Sequence, residues 1–481
     1  MPAENDAARA APGFRFPSAF TILYALIIVV ASLTWIIPAG QYARVASEAL
    51  GKDVPVAGSY APTDANPQGI VDVILAPIAG FYDPVAYTAN AIDVSLFVLI
   101  SGGFIGTVTA TGAIDAGIAR AMTGLKGREI WMIPFLMALF ALGGTTYGMA
   151  EETLAFYLPL IPGMIAAGYD AVVPVAVIML GAGVGVLGST INAFSTVIAS
   201  DAAGVTFAEG LTLRLIILGL CWLVTVAFVM RYAARVKADP TKSLVYDKKA
   251  TNEAHFLKET KAEAASFTGL HQIVLILFAA TFAVMIRGVS MGGWRMAEMS
   301  GLFLAAAIII GIVGHLGEAR LVEAFVNGSR DLLGVALIIG LARGIVVIMD
   351  AGHITDTILH YAEVGVAGLP RTAFILVVYW IEVGLSFFVP STSGLAVLSM
   401  PILAPVADFA GVKRELVVTA FATGSGIVNL ITPTSAVVMG GLAIGRVPYE
   451  RWLRFILPLL LVLTVIVMAA LALAVLTGVT P

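Results

Sequence analysis

Two adjacent carboxyl groups stand out within a long apolar part of this sequence. Glu151 and Glu152 follow the stretch LGGTTYGMA and lead into the apolar run LAFYLPLIP. Ionisable residues in such surroundings are costly and usually functional, so a carboxyl group here could bind a proton or the cationic group of a solute. Adjacent helical residues point about 100° apart, so the other carboxyl group could instead cap the free N–H groups at 153–155.

Small polar residues form four clusters that could line one binding site. Their hydroxyl and amide groups can hydrogen-bond a solute, helix N-termini favour an anion, and exposed carbonyl groups can bind a sodium ion. A single serine or threonine could instead bond within its own helix, but four clusters at matching positions favour a site. The candidate substrate- or ion-binding residues are Gly148, Glu151, Glu152, Ser189, Thr190, Asn192, Ser391, Thr392, Ser393, Thr432, Thr434 and Ser435.

Arg343 lies in the middle of an apolar run and needs a partner for its charge. Glu382 is one candidate, and the two residues would then form a structural ion pair. A substrate carboxylate is the other candidate. The structural pair is favoured, because the counterpart of Arg343 in the first half of the chain is Gly103, whereas the rest of the site is built from matching parts.

The polar clusters occur in the same order in both halves of the chain. LGGTTYGMAEET precedes GAGVGVLGSTIN in the first half, and LSFFVPSTSGLA precedes TGSGIVNLITPTS in the second. Gly181 follows Gly168 by 13 residues, and Gly424 follows Gly411 by the same interval. Secondary transporters commonly bind their solute between two such repeats.

The composition is that of a polytopic membrane protein. Hydrophobic residues make up 59% of the chain and charged residues 12%, whereas a soluble domain carries about 25% charged residues. The single cysteine, Cys221, excludes a disulfide framework and a cysteine zinc site, and the net charge of −4 provides no basic face for nucleic acid. No cofactor is expected.

The apolar runs differ in length, and the differences predict three kinds of element. Runs 171–203 and 414–445 are too long for one span and have polar clusters in the middle, which predicts two helices broken inside the membrane. The arms within 129–167 and 371–408 are short, which predicts two re-entrant hairpins. Ordinary spans are predicted at 19–39, 90–110, 211–234, 271–290, 298–316, 331–350 and 455–477.

The expected fold is therefore all-α, with nine spans, two hairpins and two inverted repeats. We assign 1–234 to the first repeat, 235–270 to a charged cytoplasmic linker, and 271–481 to a linker span and the second repeat. The segments predicted to lie inside carry 17 Lys and Arg residues and those outside carry 6, which favours a cytoplasmic N-terminus and an external C-terminus. The expected location is a bacterial inner (plasma) membrane.

Three further segments are expected to lie outside the spans. The segment 40–89 is rich in Gly, Pro and Asp and is predicted to be external, with apolar patches on the membrane surface. The stretches 113–124 and 354–363 mix apolar and polar residues with a helical period. We expect them to be interfacial helices that brace a moving part of the protein against the bilayer.

The sequence resembles the four-carbon dicarboxylate anaerobic carrier family of the ion transporter superfamily over residues 16 to 477. The resemblance is carried by TYGMAEETLAFYLPLIPGMIAAGYD, GSTINAF, SFFVPSTSGLAVLSMPILAPVAD and ITPTSA. It implies inverted repeats, a homodimer held by a scaffold, and an elevator-like transport domain. Better-known dicarboxylate carriers of the superfamily have Ser-Asn-Thr at both hairpin tips. The tips here are GMAEE and STSG, so that residue-level site cannot be transferred.

A related branch of the family is associated with the exchange of basic amino acids, and two tip carboxylates suit a cationic substrate. We therefore predict a secondary transporter that moves a small amino acid or carboxylate by alternating access, with basic amino acid exchange as the first choice. A four-carbon dicarboxylate is the alternative substrate, and the coupling ion could be a proton or sodium. The chain has neither a zinc motif, a G-x-S-x-G elbow nor a continuous polar pore, which argues against a membrane enzyme or a channel.

Overall fold

A computed structural model of the chain describes residues 19–47, 52–114, 116–117, 120, 129–146, 148–257, 267–292, 294, 296–389 and 391–477. Nearly all of the regular structure in these residues is helical, which confirms the predicted all-α class. The helices of the first half are α1 (Ala19–Leu33), α2 (Ile70–Phe81), α3 (Ile92–Ala110), α4 (Met132–Thr146), α5 (Leu154–Ala166), α6 (Val172–Leu187), α7 (Ile198–Ala203), α8 (Leu211–Ala238) and α9 (Lys249–Phe256).

The second half continues with ten α-helices in the described residues. They are α10 (Gly269–Gly292), α11 (Met296–Val313), α12 (Glu318–Asp331), α13 (Leu333–Ala351), α14 (Thr355–Val366), α15 (Arg371–Phe388), α16 (Thr392–Ala410), α17 (Arg414–Val428), α18 (Ala436–Ile444) and α19 (Tyr449–Thr477). Local signals set some of these bounds. Ser391 caps the start of α16 by accepting the Gly394 N–H, and Gly411, with φ +66°, ends it.

Eight helices of the described residues are long and apolar enough to cross a membrane, which supports a multi-pass membrane protein. Three of the eight are arms of the predicted hairpins, so length alone does not separate a hairpin arm from a span. The eight are Ile92–Ala110, Glu129–Thr146, Leu211–Ala238, Met296–Val313, Leu333–Ala351, Arg371–Phe388, Thr392–Ala410 and Tyr449–Thr477.

The two long apolar runs are interrupted where the sequence predicts. In the first, α6 ends at Leu187, and a π-helical segment, Ala193–Val197, precedes α7. In the second, α17 ends at Val428, and α18 begins only at Ala436. Polar residues and Pro433, which has no N–H to donate, occupy the second gap.

The helices pack into two groups. In one group, α12 packs on α3 and α2 packs on α13, each pair through facing glycines that let the backbones approach closely. A β-carbon added at Gly106 would lie 2.5 Å from the Ala324 carbonyl oxygen, so larger residues do not fit there. Helices α4, α6, α8, α15, α17 and α19 form the other group, and the groups meet where α5 contacts α3 and α18 contacts α13.

The sequence predicts neither α2 nor α12 as a helix. The segment 40–89, predicted to be external with apolar patches on the membrane surface, contains α2 and the strands β1 (Gly40–Gln41), β2 (Arg44–Ser47), β3 (Lys52–Pro55) and β4 (Ala61–Pro62). Strand β1 pairs with β4, and β2 pairs with β3, both antiparallel. Arg44 forms a 2.9 Å ion pair with Asp356 on α14, which ties these strands to the helices.

The predictions for the interfacial helices and the charged linker can be compared with the structure. The stretch predicted at 354–363 is a helix, α14, whereas most of 113–124 lies outside the described residues. The first part of the charged linker is packed on the helices rather than free. The carboxylate of Asp170, between α5 and α6, accepts hydrogen bonds of 2.6 Å from both Tyr232 and Ser243.

Candidate functional site

The end of α4 joins the interruption after α6 through two threonines. The Thr145 hydroxyl donates to the Thr190 hydroxyl at 3.0 Å, and Thr190 donates in turn to the Thr145 carbonyl at 3.1 Å. The backbone N–H groups of Thr190 and Ile191 also lie within hydrogen-bond distance of the Thr145 oxygens. The hairpin arm thus satisfies backbone groups that the broken helix leaves free, as buried irregular backbone requires. We call this contact the first junction.

Gly148 and Asn192 are in direct contact at the first junction. A β-carbon added at Gly148 would lie 2.6 Å from the Asn192 Oδ1, and the φ of Gly148 is +84°, so both space and backbone favour glycine. The Asn192 amide donates to the Gly144 carbonyl at 3.2 Å. The Ser189 hydroxyl bonds the Thr196 hydroxyl. Three predicted site residues, Ser189, Thr190 and Asn192, are therefore buried and already bonded within the protein.

The two glutamates of the first hairpin tip have different surroundings. Glu152 is buried, and its carboxylate accepts the Ala150 N–H at 3.0 Å, so it caps its own turn rather than the expected N–H groups at 153–155. The Glu151 side chain is partly exposed, and in the described residues its carboxylate bonds no other side chain. Asp93 at the start of α3 acts on it electrostatically. Glu151 is therefore the more exposed of the two tip glutamates.

A second junction matches the first. The Thr434 hydroxyl, in the gap between α17 and α18, donates to the Phe387 carbonyl at 2.9 Å. Phe387 is the residue before the last of α15, just as Thr145 is the residue before the last of α4. The Thr432 hydroxyl lies 2.7 Å from that of Thr434. Each broken helix is thus held to the end of the first arm of the hairpin that precedes it.

The second hairpin tip is more open than the first. Ser391, Thr392 and Ser393 are partly exposed, and Ser391 accepts the Gly394 N–H at 3.3 Å as the cap of α16. Ser435 is buried and stands at the start of α18, where its side chain forms no capping bond. Thr392 and Ser393 are therefore the predicted residues of this tip whose hydroxyl groups stay closest to solvent.

The two interruptions are neighbours because α6 and α17 cross at their C-terminal ends. A β-carbon added at Gly426 would lie 2.5 Å from the Leu187 Cα, and Leu430 packs against Gly183. The residue numbers run in opposite directions along this contact, so the two helices are antiparallel. The structure therefore brings together the helix ends that lead into the two interruptions, although these ends are far apart in the sequence.

Each half-helix that follows an interruption packs on the hairpin from the other half of the chain. Helix α7 packs on α16, whereas α18 packs on α5 and touches the turn that carries Glu151. Leu154 lies beside Gly440 of α18. The first helical bond of α18 in the described residues runs from the Met439 N–H to the Ser435 carbonyl, which leaves the preceding N–H groups available. Helix α18 thus lies beside the turn that carries Glu151.

The predicted ion pair between Arg343 and Glu382 is wrong. Glu382 has no exposed surface, and neither carboxylate oxygen has a hydrogen-bond partner in the described residues. Arg343 is on α13, which packs on α1, α2 and α3, whereas Glu382 is on α15, which packs on α17 and α19. The two side chains therefore belong to different helix groups. Asp350, seven residues further along α13, is the acidic residue that Arg343 influences.

Sequence reasoning missed Thr145 and Thr196, which complete the first junction. Both residues carried a signal that could have been used. Thr145 belongs to the polar pair in LGGTT at the end of an apolar arm, and Thr196 follows Ser189 by about two helical turns. The sequence does not show that the partner of Thr145 comes from a distant segment, because that depends on how the helices fold back, whereas Thr196 bonds Ser189 within the same run.

The helices and interrupted pairs define a polytopic membrane protein. The sequence model described as "C4-dicarboxylate anaerobic carrier" matches residues 16–476. The chain belongs to this family and is a membrane transporter. An uncharacterised protein of Haemophilus influenzae is 36% identical over 95% of this chain and 96% of its own length. The "Putative basic amino acid antiporter YfcC" of Escherichia coli is 34% identical over 76% of this chain and 74% of its own.

Two solved structures also align with the chain. The YdaH transporter of Alcanivorax borkumensis aligns with a TM-score of 0.42 and 13% identity, over 96% of this chain and 99% of its own. MtrF of Neisseria gonorrhoeae, from a class of antimetabolite efflux pumps, aligns with a TM-score of 0.42 and 16% identity, over 98% of this chain and 97% of its own.

Proposed function

We propose that the protein is a secondary transporter whose solute binds between the two hairpin tips and the two helix interruptions. The observation that carries the proposal is the antiparallel contact of α6 and α17 at Leu187 and Gly426, which sets both interruptions side by side. Irregular backbone of this kind is stable at membrane depth only where it is buried in protein or lines a wet cavity. Two interruptions joined to two hairpin tips suit a site that alternates between the membrane faces.

The charge pattern supports a basic amino acid as the first candidate substrate. Glu151 is partly exposed and unpaired in the described residues, and Asp93 adds negative charge beside it. A cationic side chain would be attracted to this tip. The substrate carboxylate would accept N–H groups from the first turn of α18, where the helix dipole favours an anion. Thr392 and Ser393 would complete the hydrogen bonding, and the printed name of the YfcC relative agrees with this class.

A four-carbon dicarboxylate is the second candidate, and one observation favours it. Arg343 is partly exposed in the middle of α13 and forms no ion pair or hydrogen bond in the described residues. A substrate carboxylate would supply the partner that Glu382 does not. The family description names this class, but the Glu151 charge would repel a dianion unless the carboxyl group were protonated.

The proposed mechanism assigns different tasks to the two helix groups. The glycine-mediated contacts of α3 with α12 and of α13 with α2 suit a rigid scaffold. The hairpins and broken helices would move against it at the contacts of α5 and α18. The proposal also includes an inverted repeat at 1–234 and a second one that follows a linker span within 271–481. It further includes a cytoplasmic N-terminus, a homodimer and a plasma-membrane location.

Counterflow in liposomes tests the proposal and separates the two substrates. Purified protein is reconstituted with unlabelled arginine, ornithine or succinate inside, and the entry of the labelled compound is measured. Arginine and ornithine are expected to exchange, and Glu151→Gln should abolish the exchange. Succinate exchange that depends on Arg343 would instead support the dicarboxylate reading. Exchange of none of the three compounds by folded protein would contradict a transporter for either class.

A further inference from the structure

Glu382 is a buried carboxyl group that the proposed substrate site does not use. It lies in the middle of α15, has no exposed surface, and neither of its oxygens has a hydrogen-bond partner in the described residues. An uncompensated charge in such a place costs several kcal/mol or more, so the carboxyl group is expected to be neutral in this conformation. A neutral carboxyl group carries a proton.

One hydroxyl group in the described residues can hydrogen-bond to the Glu382 carboxyl group. Ser399 on α16 interacts with the Glu382 carboxyl group. The Ser399 hydroxyl proton is already given to the Leu395 carbonyl at 3.0 Å, so its oxygen is free to accept. A protonated Glu382 could donate to that oxygen, which would give its hydroxyl group a partner. An ionised Glu382 would have to take the Ser399 proton away from Leu395.

Glu382 is also connected to the proposed substrate site along one face of α15. Ser386 is four residues further on and therefore lies on the same face of the helix. It is buried, and its hydroxyl has no hydrogen-bond partner in the described residues. The next residue, Phe387, accepts the Thr434 hydroxyl at the second junction. Ser386 therefore lies between Glu382 and the second junction along α15.

No basic residue forms a hydrogen bond or an ion pair with Glu382 in the described part of the chain. Tyr379 lies about one turn before it on α15, and Cys221 on α8 acts on Tyr379. The titratable and charged residues on the helices packed against α15 are Asp356, His360, Tyr361 and Glu363 on α14, Asp408 on α16, Arg414 and Glu415 on α17, and Tyr449, Glu450, Arg451 and Arg454 on α19.

We propose that Glu382 is a proton-binding site that couples proton movement to transport. This inference rests on the proposed function and names its coupling ion. In the buried conformation Glu382 holds one proton. When the hairpin and the broken helix separate, water reaches Glu382 past Ser386, and the carboxyl group releases that proton to the water. It takes up another proton when it is opened to the opposite side of the membrane, so that one proton crosses per cycle.

Proton flux and counterflow in the same liposomes test the inference. A pH-sensitive dye is trapped inside, and arginine or succinate is added outside. For the wild type, substrate should drive a change in internal pH. Glu382→Gln, which mimics the neutral acid, should reduce that change to the level of empty liposomes while counterflow continues. The matched control is Glu323→Gln on the exposed face of α12, which should behave as wild type.

Infrared spectroscopy tests the proton site without any transport. A band from a protonated carboxyl group at neutral pH should disappear in Glu382→Gln and remain in Glu323→Gln. Ser399→Ala, a mild change that serves if the glutamine variant folds poorly, should shift this band because it removes the hydrogen-bond acceptor. Absence of the band from the wild type would overturn the inference.

The outcomes separate this inference from the proposed function. Exchange without proton flux, or proton flux that survives Glu382→Gln, overturns the coupling site and leaves the transporter standing. Sodium-dependent transport without proton flux does the same. If neither probe exchanges, the proposed function fails, the coupling role falls with it, and the infrared band alone decides whether Glu382 holds a proton.

Discussion

Gly148 and Asn192 touch where the first hairpin tip meets the first helix interruption, and a β-carbon at position 148 would lie 2.6 Å from the Asn192 Oδ1. The Gly148 φ of +84° adds a second reason for glycine, because most side chains disfavour positive φ. The contact joins two segments that are 44 positions apart. It fixes the tip that carries Glu151 relative to the broken helix.

Replacing Gly148 by alanine should therefore lower stability through both strain and a clash. We expect Gly148→Ala to cost about 2–4 kcal/mol, measured as a fall in the melting temperature of the purified protein. Gly168→Ala is the matched control, because its φ of +92° is similar but nothing lies within 4 Å of the added carbon. The control should lose only the strain contribution. Equal losses in the two variants would rule out the contact with Asn192.

The Thr145–Thr190 pair should hold the first junction together. Thr190→Val keeps the shape but removes both hydrogen bonds of the Thr190 hydroxyl to Thr145. The Thr145 hydroxyl can then donate only to the Gly188 carbonyl at 3.3 Å, so the loss should be about 1–3 kcal/mol of unfolding free energy. Thr434→Val should have a similar effect at the second junction, where it removes the bond to Phe387. Thermal unfolding in detergent measures both. A wild-type melting temperature for both variants would show that the junctions do not contribute to stability.

The two tip glutamates should separate stability from transport. Glu152→Gln weakens the bond that caps Ala150 and should lower the melting temperature by the equivalent of about 1 kcal/mol, with exchange retained. Glu151→Gln leaves those contacts intact and should keep the melting temperature while abolishing exchange. Counterflow and thermal unfolding on the same preparations provide the comparison. If the double variant exchanges normally, neither carboxylate binds the solute or a proton.

Arg343 and Glu382 should behave independently, because they belong to different helix groups. The effects of Arg343→Ala and Glu382→Ala on unfolding free energy should add to within about 0.5 kcal/mol in the double variant. Chemical denaturation of the three variants measures the coupling. A coupling free energy well above that level would show that Arg343 and Glu382 interact directly, contrary to the structure.

Asp170 should make stability depend on pH. Burial raises the pKa of its carboxyl group above the ordinary value, and the hydrogen bonds from Ser243 and Tyr232 oppose this rise. Because the folded pKa is the higher one, the contribution to stability is present below the unfolded pKa and is lost as the pH rises through the folded pKa. Asp170→Asn should therefore reduce the loss of melting temperature as the pH rises above about 4, the ordinary pKa of an aspartate. An unchanged or steeper loss would contradict the raised pKa.

The sequence by itself determined the class of fold and the places where helices stop. Apolar runs of sufficient length predict membrane spans, among them the helices Ile92–Ala110 and Tyr449–Thr477, because a helix must cover the apolar thickness of a bilayer. Polar residues inside overlong runs predict the interruptions after Leu187 and Val428, because such residues are costly in lipid. Both signals are local, so a single sequence contains them.

Contacts between distant segments were decided only by the tertiary structure. The sequence could nominate Glu151 and Glu152 but could not show which carboxylate caps Ala150, because that depends on the backbone of the turn. The sequence did not predict helix α12, because one of its faces is polar. The helix is held on α3 by backbone contact at Gly328, which only the tertiary structure shows. From the sequence alone, Glu382 was the favoured partner of Arg343. Its neighbours were set by the packing of α15 on α16 and α17, and they include no cation in the described residues.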